Sequence, residues 1–189
     1  LNGGNLLLLI DPNHNSNLNK LLKNWGIQVE EAIAIDFERK KDFPFIPLIG
    51  RYLSHPITVN SKNMAPYSYY VIASPLKHLG VNIEDISFSP LMLTSKGNSY
   101  AEFNMDLFNK QNKFQYNSQT DRPGPLVLGY ALTRTLSKDP KKLSRMVIIG
   151  DSDFANNANI DFYGNGTIFL NSINWLSGDD DLISIDRPK

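Results

Sequence analysis

The sequence predicts an α/β domain with a mostly parallel sheet, and three observations lead to that class. Residues 1–35 divide into strand, helix and strand, which is the pattern of a βαβ unit with a right-handed crossover. An apolar run at 146–149 stops abruptly at the Gly-Asp-Ser-Asp of 150–153. Apolar residues on consecutive positions are typical of a strand covered on both faces. A helix with one apolar face follows near the end of the chain.

The first elements are defined by their apolar patterns. Residues 6–10 are a continuous apolar run of strand length, and Asp11 follows at its end. Four apolar side chains between 18 and 25 recur at the i, i+3, i+4, i+7 spacing of one helix face. Gly26 can cap the end of that helix, because glycine readily adopts the left-handed conformation. Residues 27–35 then return to extended structure in two pieces.

The middle of the chain, residues 43–121, differs from both ends. It carries six prolines before residue 91 and few helical patterns, and runs such as 69–73 and 86–94 are typical of strands. Residues 104–121 are rich in Asn, Gln, Lys and Ser, which favours a long loop with a short helix. We therefore predict a β-rich, proline-rich and loop-containing insertion over 43–121.

Regular structure returns in the last third of the sequence. Residues 126–135 predict a strong strand, which a turn at 137–140 separates from the strand at 146–149. The helix that follows would place Phe169, Ile173 and Leu176 on one face, with Gly178 at its end. Residues 182–185 predict a last short strand.

Composition excludes several classes of function. The 19 basic and 19 acidic residues give a net charge of zero, so no overall field attracts nucleic acid or anionic lipid. The sequence has no cysteine, which excludes disulfides, thiolate zinc sites and cysteine nucleophiles within it; a protein of the cell envelope is compatible with that. No nucleotide-binding glycine motif is present. No apolar stretch reaches the roughly 20 residues that span a bilayer, and the start at Leu1 suggests a fragment.

The Gly-Asp-Ser-Asp at the end of the predicted strand allows an enzymatic interpretation. A Gly-Asp-Ser block after an apolar strand resembles the nucleophile block of SGNH-type esterases, with Ser152 as nucleophile. That mechanism needs a histidine base, which those enzymes supply late in the chain. The histidines here are His14, His55 and His78, and all three precede Ser152.

Two further interpretations concern the carboxylates. Asp151 and Asp153 could hold one Mg²⁺ in a phosphoryl-transfer or hydrolytic site, as in haloacid-dehalogenase-like enzymes, although such enzymes place the pair after their first strand. Alternatively, both could cap the loop by accepting hydrogen bonds from backbone N–H groups, which is the interpretation we favour. With Asp11 and Ser152 they would line any ligand crevice at the carboxyl end of the sheet.

Aromatic residues offer one more candidate site. Tyr67, Tyr69 and Tyr70 could stack on a sugar ring, but such a cluster more often packs within a strand. Trp175 is most simply a helix residue that docks on the sheet. The histidines show no metal-ligand spacing, and we predict no cofactor.

Several phrases in a fixed order carry a resemblance to a known family. These phrases are residues 1–12, 55–58, 124–128, 147–155, 169–176, 182–185 and 187–189. Together they resemble the auxiliary component of uncharacterised ABC-type transport systems, the family of the gliding-motility ABC transporter auxiliary protein. Residues 64–121 contribute little to this resemblance.

The resemblance implies a flavodoxin-like domain related to class I glutamine amidotransferases and to intraflagellar-transport proteins, with helices on both faces of its sheet. It would be one domain over 1–189, incomplete at its N-terminus, that has lost the catalytic cysteine. The implied function is that of a non-enzymatic, extracytoplasmic accessory domain on the periplasmic side of the inner membrane, anchored there by segments outside this sequence. The implied partners are the ABC permease and ATPase, with a small-molecule or polysaccharide ligand and no nucleic acid.

Overall fold

The computed structural model describes residues 4–12, 17–58, 65–106, 114–136 and 143–178. The predicted turn at 137–140, the predicted strand at 182–185 and the side chain of His14 lie outside these residues. Within the described part of the chain, no helix is long and apolar enough to cross a membrane.

Strands account for most of the regular structure. The strands are β1 Leu6–Leu9, β2 Ile27–Val29, β3 Ile33–Asp36, β4 Leu48–Ile49, β5 Arg51–Tyr52, β6 Ser68–Tyr69, β7 Leu76–His78, β8 Ile86–Leu93, β9 Ser99–Glu102, β10 Arg122–Pro123, β11 Val127–Thr135 and β12 Leu143–Ile149. The helices that lie wholly within the described residues are α1 Leu18–Lys23 and α2 Asn165–Ser177, and a 3₁₀ turn spans Asp153–Ala155.

The central sheet has the strand order β1-β12-β11-β7-β2, and β8 and β5 are added through the pairing of β8 with β11. β1 and β12 are parallel neighbours. The other pairs in this sheet, β12 with β11, β11 with β7, β11 with β8, β7 with β2 and β8 with β5, are antiparallel. The sheet is therefore mixed and mainly antiparallel.

The predicted flavodoxin-like architecture, a mostly parallel sheet with helices on both faces, is wrong. The predicted βαβ unit over 1–35 fails because β1 lies beside β12, whereas β2 lies beside β7. The pairings also make β2 run opposite to β1. The local spacing of apolar residues correctly predicted a strand, a helix and a strand. Which strands pair depends on contacts between distant parts of the chain, such as the pairing of Leu6 with Met146.

Two smaller sheets complete the strand structure. β9 is the middle strand of a three-stranded antiparallel sheet of order β10-β9-β3, and β4 pairs with β6. The bounds of the expected insertion over 43–121 stay a prediction. Two strands from that segment, β7 and β8, pair with β11 in the central sheet.

β12 lies in the middle of the hydrophobic core, as its apolar sequence predicted. Val147 and Ile149 belong to a hydrophobic cluster that includes Trp175 of α2. Met146 and Ile148 belong to a second cluster, to which α1 contributes. Successive side chains of a strand point to opposite faces, so four consecutive apolar residues fill two clusters.

The face that α2 presents to the core differs from the predicted one. Ile168, Trp175 and Leu176 are buried, which confirms that the tryptophan docks on the sheet. Phe169 packs against the same cluster, but Ile173 is 40% exposed. The prediction for Ile173 is therefore wrong, because the helix is rotated so that Ile168 takes the inward position.

Candidate functional site

The predicted strand-end residues lie together at one edge of the central sheet. Asp11 follows β1 and Ser152 follows β12, and the two strands are parallel neighbours that end side by side. The backbone N–H of Ser152 donates to Asp11 Oδ1 at 2.6 Å. The Ser152 hydroxyl donates to the other carboxylate oxygen, Oδ2. The structure thus brings Asp11 and Ser152 into direct contact.

Asp151 is fully buried, and both of its carboxylate oxygens accept backbone hydrogen bonds. Oδ2 accepts from the N–H of Val71 and Oδ1 from the N–H of Asp153, each at 2.7 Å. This geometry confirms the interpretation of Asp151 as a cap. Burial raises the pKa of Asp151 from 3.8 to about 7, although the two backbone N–H groups act in the opposite direction.

Asp153 begins the 3₁₀ turn that follows, and it is partly exposed. Its Oδ1 accepts a hydrogen bond from Asn156 Nδ2 at 3.0 Å, and its backbone carbonyl accepts from Asn159 Nδ2 at 3.0 Å. The carboxylate of Asp153 thus accepts from a side chain, whereas its carbonyl also accepts from the N–H of Asn156. The prediction that the Asp153 side chain caps backbone N–H groups is therefore wrong. The predicted role of Asp11, Asp151, Ser152 and Asp153 in lining a ligand crevice stays a prediction.

The contacts of Ser152 and of the two described histidines bear on the enzymatic interpretations. The hydrogen bond of the Ser152 hydroxyl goes to Asp11, not to a histidine. His55 contacts the Trp175 ring at a centroid distance of 5.0 Å, and His78 contacts the Phe88 ring at 4.3 Å. Among the described residues, no three His, Asp or Glu side chains form a group that could hold a metal ion.

The loop after β12 is tied to a second segment, residues 67–71, by bonds at every other residue. Gly164 N–H donates to the carbonyl of Tyr67 at 2.8 Å. Tyr69 donates its N–H to Asn165 Oδ1 at 2.8 Å, and Asn165 Nδ2 donates back to the Tyr69 carbonyl at 3.0 Å. Val71 is held by Asp151. We call these bonds, from Gly164, Asn165 and Asp151 to the segment 67–71, the ladder.

Sequence reasoning missed Asn165, which is completely buried at the start of α2. Its Nδ2 also lies within hydrogen-bond distance of the carbonyls of Phe154 and Asn159, each at 3.1 Å. The sequence feature that could have indicated it is a polar residue between Gly164 and Gly166, at the start of a helix that packs on the core. The partners themselves lie too far along the chain for any local pattern to indicate them.

Four aromatic side chains cluster beside these bonds, and we call them the aromatic patch: the half-buried Tyr67 and Tyr69 and the exposed Phe162 and Tyr163. The rings of Tyr67 and Tyr163 meet at a centroid distance of 6.4 Å, and those of Tyr69 and Phe162 at 5.8 Å. Phe162 and Tyr163 are each 52% exposed. Tyr163 has φ 51°, a conformation that side chains other than glycine rarely adopt.

Two cations flank the aromatic patch. The guanidinium carbon of Arg39 lies 4.5 Å from the ring centroid of Tyr67, and Lys40 Nζ lies 4.5 Å from that of Tyr69. Tyr70, in contrast, is buried against Phe154. The three tyrosines that the sequence placed in one cluster are thus divided, with Tyr70 in the core and the other two half-buried in the aromatic patch.

Comparison with known proteins identifies the family. The family model described as "ABC-type uncharacterized transport system" matches residues 1–174. The chain belongs to this family. The resemblance to the auxiliary component of such systems is therefore confirmed, and the chain is an accessory component of an ABC-type transport system.

Among solved structures, this family member is similar to the mmIFT52 N-terminal domain, with a TM-score of 0.59 and 15% sequence identity. The alignment covers 93% of this chain and 66% of that chain. At 15% sequence identity, this structural similarity is evidence for a shared fold and for no shared function. No curated protein sequence matches the chain.

Proposed function

We propose that this chain is a non-enzymatic accessory domain that lies outside the cytoplasm and binds the permease of its ABC-type transport system. Through the permease it would act on the ATPase of the same system. The aromatic patch with its flanking cations is the observation that carries this proposal.

The composition of the aromatic patch fits a protein-binding surface. Tyrosine, phenylalanine and arginine are enriched where protein interfaces bury their central residues, and they supply much of the binding energy. Phe162 and Tyr163 are each 52% exposed, so both rings are accessible to a partner. The left-handed backbone conformation of Tyr163 is energetically unfavourable, and the ladder holds the chain in it. Strained backbone of this kind is concentrated at functional positions.

The contacts of the strand-end residues support a function without catalysis. A nucleophilic serine needs a base within hydrogen-bond reach, whereas Ser152 donates to the carboxylate of Asp11. Asp151 already accepts two backbone N–H groups. These groups hold the loop that presents Phe162 and Tyr163.

The location outside the cytoplasm is supported by the family resemblance, in which the domain is tethered on the periplasmic side of the inner membrane. The absence of cysteine from the 189 residues is compatible with it. Contact with the permease follows, because the permease is the subunit of such a system that reaches that side.

Copurification of the full-length protein from its native membranes tests the binding. We expect the permease and the ATPase to be recovered with the wild-type protein, and to be lost when Phe162→Ala and Tyr163→Ala are combined. Phe103→Ala is the matched control, because Phe103 is another exposed aromatic residue (39%) outside the patch. Equal recovery with the patch variant and with the control would contradict the proposal.

The absence of cysteine makes the location easy to test. Lys96→Cys at an exposed position, in a full-length protein whose cysteines outside these 189 residues are replaced by serine, can be labelled with a membrane-impermeant maleimide. We expect labelling in intact spheroplasts. Labelling only after lysis would place the domain in the cytoplasm and reject this part of the proposal.

A further inference from the structure

A groove lies over one face of the three-stranded sheet, between β9 and the segment 114–121. It consists of two adjoining cavities of about 390 and about 490 Å³, which share Gln115 and Tyr116 in their lining. Tyr100 lines the first cavity and Glu102 the second. The groove is separate from the strand-end loop and from the aromatic patch, since they share no residue.

The floor of the groove contains two buried polar atoms that have no hydrogen-bond partner. Tyr100 and Glu102 are two positions apart on β9, so their side chains point to the same face. Tyr100 is 3% exposed and Glu102 is 2% exposed. The hydroxyl of Tyr100 and Oε2 of Glu102 are both unpaired, whereas Oε1 of Glu102 accepts from the N–H of Asn104 at 2.8 Å. Buried polar atoms are nearly always paired, so these two atoms on one face of β9 are available to a polar ligand.

Aromatic rings form the walls of the first cavity. Phe37 stacks on Tyr100 with a centroid distance of 6.4 Å, and Tyr116 meets Tyr100 edge-on at 5.5 Å. Phe114 lines the same cavity. Tyr116 is 44% exposed, so its ring is open to a ligand from the solvent side.

The charges of the groove have one sign. Glu102 and Asp121 both line the second cavity, and none of the described lining residues is lysine, arginine or histidine. Within the described part of the chain, the carboxylate of Asp121 accepts from neutral donors, the N–H of Asn117 at 2.7 Å and the hydroxyl of Thr120 at 3.1 Å. Burial, and secondarily the charge of Asp121, raise the pKa of Glu102. A bound cation would offset the unfavourable free energy of the charged Glu102 carboxylate at this buried position.

We propose that this groove binds an organic cation, an ammonium, guanidinium or amidinium group on a flat apolar body. The cation pairs with Glu102 Oε2 and Asp121, and the flat body lies against Tyr100 and Tyr116. Cations are attracted to the faces of aromatic rings, and a buried carboxylate favours an opposite charge within contact distance. A neutral ligand such as a sugar would leave both carboxylates without a counter-charge.

Calorimetric titration of the 189-residue chain with benzamidine, and with benzamide as the neutral probe of the same shape, tests this proposal. We expect saturable binding of benzamidine, and binding of benzamide that is about tenfold weaker or more. Shifts of the backbone NMR signals on titration should be confined to groove residues such as Gly97, Asn98 and Gln115. No saturable binding of benzamidine, equal binding of the two probes, or preferential binding of methyl glucoside would overturn the proposal.

Variants locate the binding in the groove. Glu102→Gln keeps the shape of the side chain and removes its charge, so we expect the affinity for benzamidine to fall about tenfold or more. Tyr116→Ala changes an exposed ring and leaves the core intact, so it tests the site even if Glu102→Gln fails to fold. Glu84→Gln, at an exposed position, is the control for lost charge. An unchanged affinity in Tyr116→Ala, or a loss as large in Glu84→Gln, would show that the groove is not the site.

Discussion

Asp11 accepts two hydrogen bonds from Ser152, one from its backbone N–H and one from its hydroxyl, although 141 residues separate the two positions. The contact joins the ends of the parallel strands β1 and β12. Because β12 is the one strand paired with β1 among the described residues, this carboxylate holds the end of β1 against its neighbour. The pair therefore connects the start of the described chain to the loop that carries the aromatic patch.

We predict that Asp11→Ala lowers the free energy of unfolding by about 1–3 kcal/mol, since it leaves the N–H and the hydroxyl of Ser152 without their acceptor. Ser152→Ala removes one bond only and should cost about 1 kcal/mol. Denaturant unfolding of both single variants and of the double variant measures the coupling between them. Asp42→Ala, at an exposed position, is the control. Additive effects of the two substitutions would contradict a direct interaction.

Gly150 is the position where the loop after β12 cannot accept a side chain. A Cβ there would lie 1.9 Å from the carbonyl oxygen of Ser74, and backbone atoms cannot move aside as a flexible side chain can. We predict that Gly150→Ala destabilises the protein by about 3 kcal/mol or more. Gly80→Ala meets no atom within 4 Å and is strained only by its φ of +71°, so it should cost about 1–2 kcal/mol. Thermal unfolding of the two variants measures the difference. An equal loss of stability in both would show that the clash with Ser74 does not destabilise Gly150→Ala.

Local sequence patterns predicted the elements of this fold better than their arrangement. The apolar run of β12 was recognised because two covered faces leave a signature in consecutive residues. The partner of β2 was missed because no residue near Ile27 indicates that it pairs with His78, from a distant part of the sequence. A parallel βαβ unit and two strands in an antiparallel sheet can share the same local pattern.

The candidate site shows the same division. The sequence predicted that Asp11 and Ser152 lie at the carboxyl end of the sheet, and their role in lining a ligand crevice stays a prediction. It did not predict their hydrogen bonds, which form because β1 and β12 are parallel neighbours. The bond from Val71 to Asp151 spans 80 positions, and the bonds from Asn165 to Tyr69 span 96. Those partners depend on how the segment 67–71 crosses the loop, which only the tertiary structure specifies.

The buried carboxyl of Asp151 predicts a pH dependence of stability. Its pKa in the folded protein is about 7, against an ordinary value of 3.8. An acid whose pKa is raised on folding binds more protons in the folded state between those two values. Below about pH 4 this group contributes its full stabilisation of the folded state. That contribution falls as the pH rises from about 4 to about 7, and above about 7 the free energy of unfolding depends no further on this group.

Chemical denaturation of the wild type and of Asp151→Asn at about pH 5 and about pH 8 measures this contribution. We expect the difference in the free energy of unfolding between the two proteins to be more favourable to the wild type at the lower pH. Asp161→Asn, at an exposed position, should show no such change. A difference that is constant with pH, or that favours the wild type more at the higher pH, would contradict the raised pKa.

Asn165 should be the most sensitive side chain of the ladder that holds the aromatic patch. Asn165→Ala removes the acceptor of the Tyr69 N–H and the donor to the carbonyls of Tyr69, Phe154 and Asn159. Leaving buried backbone groups unpaired costs about 1–3 kcal/mol each when water cannot replace the lost partner. We therefore predict a fall of about 2–4 kcal/mol in the free energy of unfolding.

Hydrogen exchange distinguishes a local effect of Asn165→Ala from a global one. The amide of Tyr69 loses its acceptor and should exchange faster than global unfolding explains. The amide of Val71, which bonds to Asp151 instead, should follow the global change only. Asn157→Ala, at an exposed position of the same loop, is the matched control and should leave both amides unchanged. If the amide of Tyr69 kept its protection in Asn165→Ala, the ladder would not depend on this side chain, and the aromatic patch would be held by the bonds of Gly164 and Asp151.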